Sequence, residues 1–376
     1  MIIHGNKEIL NGRLAVVLNS SQSKTPCGND PWIQNTFLAV NELIDSGYAI
    51  VSSIGLLTWE LTNYLANAAN GRQVIVSPIF DEADGLSIFR KTLEDFQLDE
   101  FKTAMVFVRP DAKARSPKEN WLKRDEAALS LAQRIFPLSI RPNGRLHKLL
   151  AAINDTKKID GKFKIEYQKS IVKPRRYDIK QARDNFQNWE FITHWTRTPH
   201  GPWPGETSFS FYRRLVESKD EYPNNAFNTL LNIAREKKIR ASSNKIRDKY
   251  PVIGFSEAAP FNILKLLRWC PRQVNWNFEP YGLALKRNAV EKLGIRPAIY
   301  ATPEIYKRLP DKDKPFFQNR GDADVDWSVE KEWRHSGDLN FEDIAPNEIA
   351  FIVWDQDEKL QLESISRFKV LSFIAD

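Results

Sequence analysis

Cysteine and histidine are both scarce in this sequence. The 376 residues include two cysteines, Cys27 and Cys270, and five histidines. Two cysteines so far apart do not indicate a disulfide framework. The histidines show neither an HExxH pattern nor another zinc-type spacing. The sequence therefore predicts a protein without a metal site, suited to a reducing compartment.

Long apolar runs are also missing. No stretch approaches the ~18–20 apolar residues that a membrane-spanning helix needs. The first seven residues, MIIHGNK, lack the positive region and apolar segment of a secretory signal. We therefore expect a cytoplasmic protein with no membrane partner.

The remaining composition is that of an ordinary globular protein, with 42% hydrophobic and 27% charged residues. A chain of this length is expected to form two domains, each with its own core. The changes in pattern along the chain predict a first domain over residues 1–150, a basic linker over 151–188 and a second domain over 189–376.

The positive charge is concentrated in one stretch. Between Lys157 and Arg183 there are ten Lys or Arg residues and three Asp or Glu residues, an excess equal to the net charge of +7 of the whole chain. Such a stretch is most often a solvated linker, but its cations could also contact the phosphates of DNA or RNA. The balance elsewhere argues against a broad nucleic-acid surface.

Short apolar runs alternate with helical patterns from Leu14 to Ile140, which predicts an α/β domain with a mostly parallel, doubly wound sheet. Ligands of such sheets bind beyond the carboxyl ends of the strands. Small residues there permit close approach, and helix N-termini favour phosphate. The predicted ligand-binding residues are Ser20, Gln22, Lys24, Ser52, Ser53, Gly55, Arg109, Arg141 and Gly144.

This half resembles the SLOG group, the Rossmann-like nucleotide-sensing domains related to DprA and to the LOG lysine-decarboxylase-like proteins. The matching pieces are the 52–55 Ser-Ser-x-Gly turn before Trp59-Glu60, the Arg124-Asp125 pair at the start of a helix, and the 142–144 Pro-Asn-Gly turn. The doubled glycine and threonine of LOG enzymes are missing. The resemblance therefore implies binding of a nucleotide-type ligand rather than phosphoribohydrolase activity.

The second half contains short strands with few long helices, together with a predicted helix over 260–269, which indicates a mixed α+β domain. In the segment WSVEKEWR, which begins at Trp327, strand alternation places Glu330, Glu332 and Arg334 on one face. Two carboxylates and a guanidinium beside aromatic residues form a candidate polar site. A solvated edge strand would show the same pattern.

This half resembles the ADP-ribosyltransferase superfamily, nearest to DarT-like enzymes and phage-resistance relatives with strands reading FTE and EREWR. The matching order is a strand with Thr193-His194, a helix, the 239–243 Ile-Arg-Ala-Ser-Ser segment, the 254–257 Gly-Phe-Ser-Glu strand, a Tyr281-Gly282 strand and a late Glu-x-Glu.

The resemblance implies roles for individual residues toward NAD+. His194 would bind the ribose, with Thr193 and Arg197 nearby, and Ser256 or Tyr281 would lie near the nicotinamide. Glu332 would be the catalytic carboxylate, and Glu330 would assist it. The expected protein is an NAD-dependent ADP-ribosyltransferase or NAD glycohydrolase of bacterial antiphage defence or toxin type, with a nucleotide-sensing first domain.

Two other functions fit the same sequence. One is a non-catalytic sensor, which binds a nucleotide through its first domain and a partner through its second. The other is a DprA-like factor that uses the basic stretch to bind nucleic acid. The pairing of Glu330 and Glu332 with His194 favours the enzyme. The residues do not specify the oligomeric state.

Overall fold

The chain divides into two compact units by its internal contacts. Unit 1 consists of Met1–Val172, His200–Pro202 and Glu206–Pro223; unit 2 consists of Lys173–Pro199, Trp203–Gly205 and Asn224–Asp376. The structure is a computed structural model that describes residues 2–79, 81–109, 120–168, 175–183, 186, 188–244, 246–319 and 331–374.

Unit 1 is an α/β domain built on a six-stranded sheet. Its strands are β1 (Ile2–Gly5), β2 (Leu14–Leu18), β3 (Ala49–Ser53), β4 (Gln73–Pro78), β5 (Thr103–Val108) and β6 (Arg134–Pro137). Its helices are α1 (Pro31–Asp45), α2 (Leu57–Ala68), α3 (Gly85–Phe96), α4 (Trp121–Leu131), α5 (Arg145–Ala151) and α6 (Ser208–Glu217).

The strand order is β1-β5-β4-β3-β2-β6, and all neighbours are parallel except β1 and β5. The predicted parallel sheet is thus confirmed, with an antiparallel edge strand added. From β2 the chain runs outward through β3, β4 and β5 and then returns to place β6 on the other side of β2. The crevice between β2 and β6 is therefore the topological switch point of the sheet.

Helix α6 belongs to unit 1, although its residues fall within the range 189–376 that was predicted for the second domain. Phe211, Tyr212 and Leu215 are at most 2% exposed and pack in the same core as the α1 and α2 residues. The Tyr212 hydroxyl donates to Glu60 Oε2 at 2.7 Å, and Ser208 is hydrogen-bonded to Asp95. A distant segment of the chain thus completes the core of this unit.

Unit 2 is a mixed α+β domain. Its strands are β7 (Phe191–Trp195), β8 (Lys238–Ile239), β9 (Val252–Ser256), β10 (Trp269–Cys270), β11 (Asn275–Trp276), β12 (Gly282–Lys286), β13 (Arg296–Pro297), β14 (Ile299–Ala301), β15 (Phe317–Asn319), β16 (Glu332–Ser336), β17 (Leu339–Asn340), β18 (Ile349–Val353) and β19 (Lys369–Ser372). Its helices are α7 (Ala226–Glu236), α8 (Pro260–Leu264), α9 (Arg287–Lys292), α10 (Pro303–Tyr306) and α11 (Gln356–Glu363).

The principal sheet of unit 2 has the order β13-β16-β9-β7-β12-β18-β19, and its only parallel pair among the described residues is β18 with β19. Helix α7 packs its apolar residues Phe227, Leu230 and Leu231 into the core against this sheet. The Asn225 side chain caps α7 by accepting from the Asn228 amide at 2.8 Å.

The helix predicted over 260–269 is wrong in length. Helix α8 ends at Leu264, and Trp269 and Cys270 instead form strand β10 of a small hairpin. The local pattern of apolar residues did not indicate this because Trp269 pairs with Trp276 across a turn, a contact that helical periodicity does not contain.

Candidate functional site

Three predicted site residues of unit 2 lie side by side on neighbouring strands. Thr193 of β7 is in register with Ser256 of β9, and Ser256 is in register with Glu332 of β16. Residues paired in this way point to the same face of a sheet. The structure therefore brings Thr193, Ser256 and Glu332 together in one row across three strands.

The Glu332 carboxylate is held in position by a buried arginine. Arg334 is 4% exposed, and its Nε donates to Glu332 Oε1 at 2.8 Å. The rest of the guanidinium donates to the carbonyls of Pro315 and Phe317 and to the Gln318 side chain. The Glu332 side chain itself remains 20% exposed. It is thus an oriented carboxylate with access to solvent.

The surface beside Glu332 is lined by small side chains. Gly254 of β9 is exposed, and a Cβ built on it would lie 3.5 Å from Glu332 Oε1. Ser256 is 7% exposed, and its Oγ accepts from the Ala258 amide at 3.2 Å. Within the described residues the buried Thr193 Oγ1 has no hydrogen-bond partner. Gly254 is therefore the exposed position next to the carboxylate, whereas Ser256 and Thr193 are buried.

His194 points to the opposite face of the sheet. Its Nδ1 is 2.8 Å from the Gly254 carbonyl oxygen. Its ring lies edge-on to that of Phe255, with the ring centres 5.7 Å apart. Burial lowers the pKa of His194; the Gly254 hydrogen bond raises it and the exposed Arg197 lowers it further. The sequence predicted that His194 and Glu332 lie close together around one ligand. In the structure the two side chains lie on opposite faces of the sheet.

Tyr281 is part of the unit 2 core. It is 1% exposed, and its hydroxyl donates to Glu358 Oε1 at 2.8 Å. The rings of Tyr177 and Phe227 pack against it, with ring centres 6.3 and 5.7 Å away. Burial, with the nearby Tyr177 and Glu358, raises the Tyr281 pKa. This side chain therefore lies in the core of unit 2 rather than in the row that contains Glu332.

Two contacts of the site could not be predicted from the sequence. Tyr300 accepts the Glu332 amide at 3.0 Å through its hydroxyl, and Gln318 contacts Arg334. Both residues come from the separate β14–β15 pair. By contrast, strand alternation alone predicted that Glu332 and Arg334 share a face. Glu330, the predicted assisting carboxylate, lies outside the described residues.

In unit 1, two of the predicted residues at the switch point are joined by a hydrogen bond. The Arg141 amide donates to Ser20 Oγ at 2.9 Å, so the loops after β2 and β6 are tied together. Gln22 Nε2 is buried without a hydrogen-bond partner in the described residues. The Gly144 residue stands directly before α5, where a Cβ would lie 3.0 Å from the Arg141 carbonyl.

The other predicted residues of unit 1 lie at or after the ends of strands β2, β3 and β5. Ser52 and Ser53 are fully buried, and Ser52 Oγ is hydrogen-bonded to Asn63. Gly55 adopts φ +87° and its amide donates to Glu60 Oε1 at 2.8 Å. Lys24 and Arg109 are exposed.

The Arg124-Asp125 pair lies inside the first turns of α4 rather than at its start. Arg124 is fully buried, with its guanidinium 5.5 and 5.4 Å from the ring centres of Trp59 and Trp121. Its Nη2 is 2.7 Å from Asp125 Oδ1, and Arg145 contacts the other carboxylate oxygen at 3.0 Å. The pair therefore serves the packing of α4 against α2 and α5.

Across the part of the chain that is described, no group of three or more His, Cys, Asp or Glu side chains is placed to hold a metal ion. In the same residues, no helix is both long and apolar enough to span a bilayer.

No family model matches the chain, and no curated protein matches it. Among solved structures, the chain is similar to DNA processing protein A from Helicobacter pylori, whose single-stranded DNA binding has been described. The match has 13% identity and a TM-score of 0.30, and it covers 42% of this chain and 68% of that one. A similarity this slight does not support a functional assignment.

Proposed function

We propose that unit 2 cleaves the glycosidic bond of NAD+ and transfers the ADP-ribose to water or to a macromolecular acceptor. The observation that carries this proposal is the Glu332 carboxylate, anchored by the buried Arg334 and partly exposed beside Gly254. The resemblance of the strand segments to ADP-ribosyltransferases supports the choice of NAD+.

The reaction breaks the bond between the nicotinamide nitrogen and the ribose C1′, and the electron pair leaves with nicotinamide. Positive charge develops on C1′, and a nucleophile then bonds to that carbon and loses a proton. A carboxylate already oriented toward the charge stabilises it without reorganisation, which is a large catalytic term where water is excluded.

In this proposal Glu332 stabilises the developing charge and Arg334 is a positioning residue, since it acts through Glu332. Ser256 and Thr193 are the polar side chains in the same row as Glu332. His194 and Tyr281 take no part, because they lie on the other face or in the core.

The test is nicotinamide release from NAD+ labelled in the nicotinamide ring, together with transfer of label from adenine-labelled NAD+ in the presence and absence of nucleic acid. Glu332→Gln keeps the size of the side chain and removes its charge. Glu363→Gln, at a half-exposed pair with Lys359, is the matched control. Equal nicotinamide release by wild type and Glu332→Gln would reject the proposal.

A second function is favoured by the switch point of unit 1. The joined loops at Ser20 and Arg141 and the buried Gln22 amide follow strands at the switch point, where open α/β sheets bind ligands. We infer that unit 1 binds a nucleotide-type ligand there. Calorimetric titration with AMP and ADP, using wild type and Gln22→Leu, tests this inference; equal heats from both proteins would reject it.

A further inference from the structure

A small hairpin in unit 2 combines tryptophan with unopposed positive charge. Between Glu257 and Glu279 the sequence contains Lys265, Arg268 and Arg272 but no Asp or Glu. All three cations are exposed. We call residues 265–276, which contain the paired strands β10 and β11, the tryptophan hairpin.

The two tryptophans of this hairpin lie opposite each other. Trp269 and Trp276 are in register, with ring centres 5.6 Å apart and planes at 74°. Trp276 is fixed to the body of unit 2. Its Nε1 donates to the Arg175 carbonyl at 3.2 Å, and the centre of its ring lies 5.9 Å from that of Tyr177. Trp269 is half-buried and keeps part of its surface in solvent.

The base of the hairpin is held by a single asparagine. Asn277 accepts the Arg268 amide through Oδ1 at 2.8 Å, and its own amide donates to the Arg268 carbonyl at 3.0 Å. Its Nδ2 donates to the Leu266 carbonyl at 2.9 Å. These bonds fix the backbone that presents Arg268 and Trp269, so a ligand would not have to order it.

The Arg175 contact brings the end of the basic 157–183 stretch to the hairpin. Arg176, the next residue, is exposed. The acids beside Arg175 are already engaged, since Asp355 and Glu358 both accept from its guanidinium. Asp178 is exposed and caps the Lys180 amide at 3.2 Å. Among the described residues named here, Arg176 and the three hairpin cations are exposed, and the nearby acids are Asp178 and the two that pair with Arg175.

We propose that the tryptophan hairpin, together with Arg176, binds single-stranded nucleic acid. Separated cations beside an aromatic ring suit a polymer that carries one phosphate and one stackable base per residue. A duplex keeps its bases stacked inside, so Trp269 would have no base to stack on. This inference is independent of NAD+ cleavage, because binding is measured without NAD+.

The experiment uses the full chain and fluorescein-labelled 20-mers of dT and of U, with fluorescence anisotropy over a series of salt concentrations. Arg268→Gln with Arg272→Gln removes two cations, and Lys292→Gln with Lys369→Gln is the control for equal loss of charge. The hairpin variant is expected to lower the salt slope by about 1.4, and the control to leave it unchanged. The dT and U arms distinguish DNA from RNA.

Stacking is tested separately with Trp269→Leu. The loss of one stacked base is expected to weaken binding by about fivefold to a hundredfold, while the salt slope stays as in wild type. Melting curves of each variant, matching wild type, establish that it is folded. The proposal is overturned if the hairpin and control variants bind alike, or if Trp269→Leu binds as wild type and a polyglutamate competes as well as the oligonucleotide.

Discussion

Arg334 connects stability and chemistry at the level of a single residue. Its guanidinium is almost fully buried, yet it contacts two backbone carbonyls, Gln318 and Glu332. A buried charge is tolerated only when its hydrogen-bonding groups are satisfied. The same contacts that satisfy Arg334 fix the direction of the Glu332 carboxylate.

We predict that Arg334→Leu lowers the free energy of unfolding by about 3–5 kcal/mol, because the substitution leaves Glu332 and two carbonyls without their partner. Urea denaturation monitored by tryptophan fluorescence measures the change. Arg287→Leu, which removes a more exposed pair with Glu257, should cost less than about 1 kcal/mol. Similar losses from both variants would contradict the structural role of Arg334.

His194 makes a prediction about pH. Its pKa is lowered in the folded protein, chiefly by burial, so the unfolded chain binds this proton more readily. Stability contributed by the neutral ring is present above the unfolded pKa of about 6.5 and declines as the pH falls below it. When the pH is lowered from 7.5 to 5.5, the free energy of unfolding measured by urea titration should therefore fall less for His194→Gln than for wild type. An equal loss would show that His194 does not titrate differently on folding.

At the scale of the element, strand β9 shows why a glycine stands beside Glu332. Gly254 is exposed in the middle of a strand whose neighbours Ile253 and Phe255 are buried. Glycine weakens a strand interior by roughly 0.5–1 kcal/mol relative to alanine. In our account this position stays open because a ligand occupies the space above it.

Gly254→Val tests the open position. A Cβ alone would make an ordinary contact at 3.5 Å with Glu332 Oε1, so Gly254→Ala should be tolerated, whereas the branched valine fills the space. We expect Gly254→Val to unfold no more easily than wild type but to release nicotinamide at least about tenfold more slowly. A valine variant with wild-type turnover would place the ligand elsewhere.

The sequence predicted the elements of unit 1 well because β2, β3, β4 and β5 are continuous apolar runs separated by amphipathic helices. In unit 2 it predicted that Glu332 and Arg334 share a face, since alternation is local. It could not predict that Glu332 and His194 fall on opposite faces. That relation depends on the register Thr193–Ser256–Glu332, which is set by pairings between distant segments.

At the scale of the whole molecule, the core of unit 1 is closed by a segment from the second half of the chain. The α6 residues Phe211, Tyr212 and Leu215 are buried there, and each contributes roughly 1.5–3 kcal/mol of burial. Their sum is comparable with the total stability of a domain, about 5–15 kcal/mol. The residues of α6 were predicted to belong to the second domain because nothing in the local sequence separates them from their neighbours along the chain.

A fragment of residues 1–172 is therefore expected to unfold without a cooperative transition, whereas a fragment of residues 1–223, which includes α6, should melt cooperatively. Scanning calorimetry of the two fragments measures the difference. A cooperative transition of the shorter fragment, close in midpoint to that of the longer one, would show that α6 is dispensable for unit 1.

The most direct test of the central claim is the rate of nicotinamide release at saturating NAD+ by wild type and by Glu332→Gln, with calorimetric NAD+ binding measured for both. If Glu332 stabilises the transition state, the variant binds NAD+ about as tightly but turns over at least about a hundredfold more slowly. Equal turnover at equal affinity would contradict the account.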